Sequence, residues 1–340
     1  MGKGRILVTG GAGYIGSHTI IDLLNKGYSE LVSIDSYLNS DPETYRRIQE
    51  ITGIMPRHEK VDLCNPDETL AFFNKSEPFE GVIHFAALKS VPESFKAPEL
   101  YVENNVTGLQ NLLEGLKQNG PCSLIFSSSC SVYGNSKELP VTEETPFGKS
   151  ESPYGETKQE GESLINAFVG SHPGYKACHL RYFNPVGAYP GGKIGEIQKR
   201  GLTNLFPLMM AAAKGEIPAL KITGCDFPTP DGTCIRDYIH VCDIARAHRL
   251  GLEWLMQQKP GTTEAINLGS GKGYSVREIV NAFIAQSGIR ITTEEAPPRP
   301  GDVAAIYADI SKATRVLGWE PEFGLKEMIS TAWEWEKNRH

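Results

Sequence analysis

A short apolar run, RILVT (5–9), leads directly into TGGAGYIGS (9–17) and then into a helix-length stretch reaching about residue 26. A strand, a glycine-rich turn and a helix in that order leave few folds open. Gly10, Gly13 and Gly16 are spaced three apart, and Gly11, Gly13 and Gly16 also satisfy GxGxxG. Glycines placed this way permit a tight turn, bring backbone N–H groups close to a diphosphate and aim the positive end of a helix at it. The same glycines could serve only close strand–helix packing, so the rest of the chain has to decide.

The pattern continues. Further β-like runs lie at ELVSID (30–35), EKVDL (59–63), GVIHFA (81–86), SLIFSSS (123–129) and ACHLRYF (177–183). Amphipathic candidates at 66–75, 100–118 and 154–170 lie between them. Several runs are apolar without alternation, as strands buried on both faces of a parallel sheet must be. The fold class that follows is α/β, a doubly wound parallel sheet of Rossmann type. Asp35 closes the second run. A carboxylate there accepts hydrogen bonds from both ribose hydroxyls of an adenosine and repels a 2′-phosphate, which favours NAD over NADP.

Beyond residue 184 glycine and proline thicken, as in NPVGAYPGG (184–192) and FPTPDG (227–232). One more βα-like piece is expected, with a helix near 241–257 and a strand at EAINLG (264–269). The expected division is an NAD-binding unit at 1–183, joined by about 238–269, and a smaller interleaved α/β substrate-binding unit covering most of 184–340.

The net charge of −7 and the lack of a basic cluster argue against nucleic acid and anionic membrane surfaces as partners. The seven scattered cysteines include no CxxC, and the eight histidines no HExxH, so neither a disulfide framework nor a metal site is expected. No run approaches the length of a membrane span and no signal peptide is legible, which makes the cytoplasm the expected compartment.

SPYGETK (152–158) places Tyr154 and Lys158 one helical turn apart, just after a proline suited to the first helical position. Tyrosine has an ordinary pKa of about 10, so work as a base near pH 7 needs a fall of roughly 3 units, or about 4 kcal/mol. A cation about 4 Å away supplies a term of that size. A lone YxxxK is more often an ordinary surface pair. Here Ser127, Ser128 and Ser129 end a strand 25 residues earlier, at the sheet edge where ligands bind in open α/β folds.

With these residues in view, the chain resembles the extended short-chain dehydrogenases/reductases, and among them the UDP-glucose 4-epimerase family. The likeness runs nearly end to end, through VIHFAALKSV, ENNVTG, SSSCSVYG, SPYGETK, LRYFNPVGA, DGTCIRDYIHV, NLGSGKGYSV and PPRPGD. It implies Tyr154 as catalytic base, Lys158 as its electrostatic partner and ribose ligand, and Ser129 as the hydroxyl bound to the reacting sugar oxygen. It implies cofactor contacts from Gly10, Gly13, Tyr14, Ile15, Gly16, Asp35, Asn39, Asp62, Leu63, Phe85, Ala86, Lys89, Asn104, Lys158 and Tyr182. For the nucleotide sugar it implies Lys89, Ser129, Tyr154, Asn184, Asn204, Arg236, Arg299, Asp302 and Ile306. Arg236 and Arg299 are also the residue type that a diphosphate needs in an acidic protein, although either could instead brace a loop through Asp237 or Asp302.

The implied reaction is reversible C4 epimerisation of UDP-glucose and UDP-galactose through a 4-keto sugar on enzyme-bound NAD, in galactose metabolism, by a homodimer. Three positions depart from the family pattern. Cys130 stands where a small alanine is expected and would bring thiol sensitivity. Thr223 replaces an aromatic near the uracil. Ile306 occupies a position that is Tyr in hexose-only relatives and Cys in those taking N-acetylhexosamines. Rival readings are an epimerase for another UDP-sugar, N-acetylhexosamine or pentose, and a non-catalytic NAD-binding regulator. A 4,6-dehydratase fits less well, because Cys130 and Ser131 stand where an Asp-Glu pair is usual.

Overall fold

A computed structural model describes residues 4–339. The larger lobe begins with β1 (Ile6–Thr9), α1 (Tyr14–Asn25), β2 (Leu31–Asp35), α2 (Glu43–Thr52), β3 (Arg57–Lys60), α3 (Pro66–Lys75) and β4 (Gly81–His84). It continues with α4 (Val91–Lys96), α5 (Pro98–Val102), α6 (Gly108–Asn119), β5 (Ser123–Ser129), α7 (Pro153–Ser171) and β6 (Lys176–Tyr182). Then come β7 (Asn184–Val186), α8 (Leu205–Ala213), β8 (Leu220–Thr223), β9 (Ile235–His240), α9 (Val241–Met256) and β10 (Thr263–Leu268). The chain closes with β11 (Gly273–Ser275), α10 (Val276–Ser287), β12 (Thr293–Ala296), β13 (Ala305–Ile306), α11 (Ser311–Leu317) and α12 (Leu325–Asn338).

Seven strands pair in parallel in the order β10-β6-β5-β4-β1-β2-β3. The order reverses between β1 and β4, and at such a switch point the loops diverge and open a crevice beyond the strand ends. β1, β2, β4 and β5 are buried along their whole length, as their unalternating sequences require. Ile6, Val8, Leu23, Ile244 and Leu252 pack one face beneath α1 and α9. Leu7, Val82, Leu109, Leu112 and Phe72 pack the other beneath α3, α6 and α7.

Two expectations need correction. The third strand is RHEK at 57–60, not EKVDL at 59–63. It is an outer strand whose polar side chains face water, and Val61 and Leu63 lie just past it, buried in the turn that enters the crevice. The stretch 100–118 is not one helix either. A π-helical turn at Glu103–Thr107 separates α5 from α6. Asn105 gives the reason: its amide bonds both backbone groups of Leu88 and the Thr157 hydroxyl, at 2.8, 3.0 and 3.0 Å. The wider turn brings this side chain inward to fix the loop after β4.

The smaller lobe is built from α8, α10 and α12 over β7 and β9, around Phe206, Met209, Tyr238, Phe283 and Met328. β9 runs directly into α9, which returns the chain to the larger lobe, and β10 then joins β6 at the sheet edge. The two lobes are therefore interleaved.

Candidate active site

The glycine turn after β1 is forced by space. Gly10 has φ +71°, and a Cβ there would lie 2.6 Å from the Ala86 nitrogen. A Cβ on Gly16 would meet the Gly10 carbonyl at 2.4 Å. α1 then starts with neither a side-chain cap nor an acidic residue in its first turn, so its leading N–H groups face the crevice unopposed. Asp35 ends β2 and is pinned on both oxygens. One accepts from Tyr37 N (2.9 Å) and Ser40 Oγ (2.7 Å), the other from Ala12 N (3.0 Å). Burial raises its pKa, and these hydrogen bonds counter the rise. Beside it, the buried Asn39 Oδ1 has no hydrogen-bond partner. An acceptor left over next to a fixed carboxylate, facing a glycine cradle, fits the ribose and diphosphate of a dinucleotide.

All fifteen residues expected to hold the cofactor line this one cleft, which runs from Asp35 and Asp62 past the glycine turn to Lys158. Ser36, Ser40, Cys64 and Ile197 also line it and were missed. Ile197 arrives from the smaller lobe, and no signal in its neighbourhood reveals that crossing.

At the far end α7 begins. Ser152 caps it by accepting from Gly155 N at 3.1 Å, and Pro153 fills the first helical position. Tyr154 and Lys158 are therefore set on the buried face, 9% and 5% exposed. Their electrostatics depart from expectation. The Lys158 ammonium is anchored on a strand. It donates to the Ser127 carbonyl at 2.7 Å, and lies 5.0 Å from the Phe126 ring and 5.8 Å from the Tyr154 ring. Burial first, and then Tyr182, holds the Tyr154 phenol well above its ordinary value, against the lowering effect of a hydrogen bond with Ser129. Burial brings Lys158 down to about 8, and the Glu162 carboxylate works against that fall.

A second cleft opens beyond Tyr154. Ser129, Asn184, Asn204, Arg236, Arg299, Asp302 and Ile306 all line it, together with Cys130 and Thr223. Tyr154, Lys89, Ile15 and Tyr182 line both clefts, so the two meet at the phenol. The Arg236 guanidinium donates to the Val303 carbonyl at 2.7 Å and stands 3.7 Å from Asp302. Arg299 donates to the Thr203 carbonyl at 2.8 Å, and its backbone N–H donates to Asp302 at 3.1 Å. Both arginines thus brace a loop and still face the cleft. Asp237 turns the other way and accepts from Ser270, Gly271 and Ala308. Asn204 is the N-cap residue of α8, yet its side chain makes no capping bond. Lys89 pairs with Glu196 and lies 5.5 Å from the Tyr14 ring. Burial pushes the Cys130 thiol up to about 12, which leaves it a poor nucleophile at neutral pH.

Comparison with known proteins agrees with this geometry. A profile of the family described as GDP-mannose 4,6 dehydratase matches residues 7–332. A UDP-glucose 4-epimerase of Bacillus subtilis (strain 168) is 44% identical over 98% of this chain and 97% of its own length. The chain belongs to the UDP-glucose 4-epimerase family. Among solved structures, a Bifidobacterium longum member in complex with NAD+ and UDP superposes with a TM-score of 0.94 at 41% identity, covering 98% of each chain. A Stenotrophomonas maltophila member, with bound NAD and formylated UDP-arabinopyranose, gives 0.93 at 40% identity, again covering 98% of each chain. Membership in this family accords with the doubly wound sheet and with an NAD site at the glycine turn.

Proposed function

We propose that this chain is an NAD-dependent UDP-glucose 4-epimerase, interconverting UDP-glucose and UDP-galactose in galactose metabolism. The observation that carries the reading is the meeting of two clefts at Tyr154: one matches a dinucleotide, the other a diphosphate sugar. Residues 1–183, with about 238–269, act as the NAD-binding unit, and most of 184–340 binds the UDP-sugar.

When bound, NAD supplies reversible acceptance of hydride from C4 of the sugar. Gly10, Gly13, Asp35, Asn39 and Lys158 would hold it. The side chains of this chain divide the remaining tasks. Tyr154 takes the proton of the sugar 4-hydroxyl, which Ser129 orients by hydrogen bonding. Burial opposes the phenolate, so its formation draws on the Ser129 hydroxyl and on the Lys158 charge. A unit charge within about 4 to 6 Å is worth about 3 to 4 kcal/mol at an effective dielectric near 20. Arg236 and Arg299 anchor the diphosphate with charge-assisted hydrogen bonds. The cleft also offers small or apolar groups, Ser129, Cys130, Phe183 and Ile306, which would leave the sugar loosely held. A tight grip on the nucleotide and a loose one on the sugar let the ketone rotate and be reduced from its other face.

A homodimer is part of this reading; Phe95 and Val102, 42% and 47% exposed on α4 and α5, support a covered helical face there. A reducing, cytoplasmic setting accords with seven unpaired cysteines. The test is incubation of the purified protein, without added cofactor, with UDP-galactose, UDP-GalNAc and UDP-arabinose in parallel. Conversion of UDP-galactose to UDP-glucose without net NADH is the expected outcome. Silence toward UDP-galactose, even with NAD supplied, would refute it.

A further inference from the structure

Tyr154, Lys158 and Glu162 follow one another at four-residue spacing on the buried face of α7, and Glu162 is only 1% exposed. A carboxylate so deep must be held. Arg181 on β6 grips it with a fork, Nε to Oε1 at 2.9 Å and Nη2 to Oε2 at 2.7 Å. The Ser128 hydroxyl donates to the same Oε1. Ser128 lies opposite Arg181 in the sheet, between Ser127, whose carbonyl receives Lys158, and Ser129. Arg181 is fixed in turn by the Tyr133 hydroxyl at 3.1 Å and the Glu143 carbonyl at 3.4 Å.

Other charged or titratable groups face this corner. Tyr154 shares α7, His84 comes from β4, and Tyr182, His179 and Arg181 come from β6. His84 is driven down to about 3 and Tyr182 up to about 12, both by burial, so neither carries charge near neutral pH. His179 is lowered as well. Arg181 is committed to Glu162. Among the described residues, Glu162 is the carboxylate that raises Lys158, although it also pairs with Arg181.

We propose that Glu162, clamped by Arg181, is a positioning residue that holds Lys158 as an ammonium and seats the Ser127–Ser129 edge against α7. A buried ion pair adds little net stability over apolar side chains of the same volume. Its place one turn beyond Lys158 gives it a chemical use. The inference rests on the reading of Lys158 as a group that serves the reaction.

The test is Glu162→Gln in the purified full chain, read by 13Cε NMR titration of Lys158, assigned with Lys158→Met, and by the pH profile of UDP-galactose conversion. The Lys158 titration should move down by about one pH unit. Turnover should be near wild type at pH 6 and about fivefold lower at pH 8. An unmoved titration overturns the proposal, whether activity is retained or falls equally at every pH. If Glu162→Gln does not fold, Glu162→Gln/Arg181→Met removes both charges together, and a smaller downward shift is expected, because the repulsion from Arg181 goes with the attraction from Glu162. Ser128→Ala keeps the carboxylate and should leave the titration unchanged; an equal shift there would show that the seat and not the charge governs Lys158, overturning the electrostatic role. The NMR readout does not depend on the substrate. A shifted titration in a protein inactive on UDP-galactose would refute the epimerase reading and leave this inference standing.

Discussion

The two clefts that meet at Tyr154 are built in different ways. The cofactor cleft lies across the ends of parallel strands, and its walls are set by backbone: a glycine turn, an uncapped helix start and a carboxylate at the end of β2. The sugar cleft is assembled from loops and short strands of the interleaved lobe, and its walls are side chains held by other side chains, such as Arg236 beside Asp302. Backbone geometry tolerates little change. Side-chain walls can be retuned one residue at a time, and this chain's departures from the family pattern, Cys130, Thr223 and Ile306, all lie there.

The contrast is sharpest at the junction, where the largest effect is expected. Tyr154→Phe should lower turnover on the order of 10³-fold with the fold intact, since a positioned general base contributes roughly 10² to 10⁴; near-normal turnover would remove Tyr154 from the mechanism. On the backbone-built side, Gly16→Ala drives a Cβ to 2.4 Å from the Gly10 carbonyl. The turn must open, and the purified protein should lose its NAD absorbance after gel filtration. Retention of NAD would show that the cradle is as adaptable as the sugar side.

On the side-chain-built side, Arg236→Met should raise KM by about 10- to 100-fold, the worth of one charge-assisted hydrogen bond. Its kcat should change little, because the arginine grips ground state and transition state alike. A fall confined to kcat would place Arg236 in the chemistry. Smaller still, Thr223→Phe should lower KM several-fold if an aromatic there packs on the uracil; no change would mean that the base is held elsewhere.

Acidity offers a separate test of the junction. Lys158 is depressed to about 8 from an ordinary 10.5. Between those values the unfolded chain binds more protons than the folded one, so this group's contribution to stability rises with pH across that window. Below pH 8 its burial as a cation costs stability. Activity should do the opposite and fall above about pH 8, as Lys158 loses the proton that supports the phenolate. Denaturant melts and the alkaline limb of kcat/KM, measured on one preparation, check the two directions together.

Gly10, Gly16, Asp35, Tyr154 and Lys158 were readable because their chemistry needs one residue type at one spacing within a local element. Asn105, Glu162 and Ile197 were not singled out. Glu162 had a legible signal, four residues beyond Lys158 on the same helical face, but nothing local announces Arg181 as its partner. Asn105 stood within a helical pattern whose period hides a π turn. β3 was misplaced by two residues because an outer strand needs no apolar run, while the apolar Val61 and Leu63 beside it suggest one.

The sequence by itself determined the parallel sheet, the glycine turn, the carboxylate at the end of β2 and the face of α7 that carries the tyrosine and lysine. These follow from steric and periodic rules acting over a few residues. Tertiary structure alone decided that Lys158 reaches the Ser127 carbonyl, that Asp302 and not Asp237 accompanies Arg236, and that burial holds the Tyr154 phenol above its ordinary value. Helical spacing fixes the direction in which a long side chain leaves the backbone. Where its charged end comes to rest depends on partners from distant strands and on how much water the fold excludes.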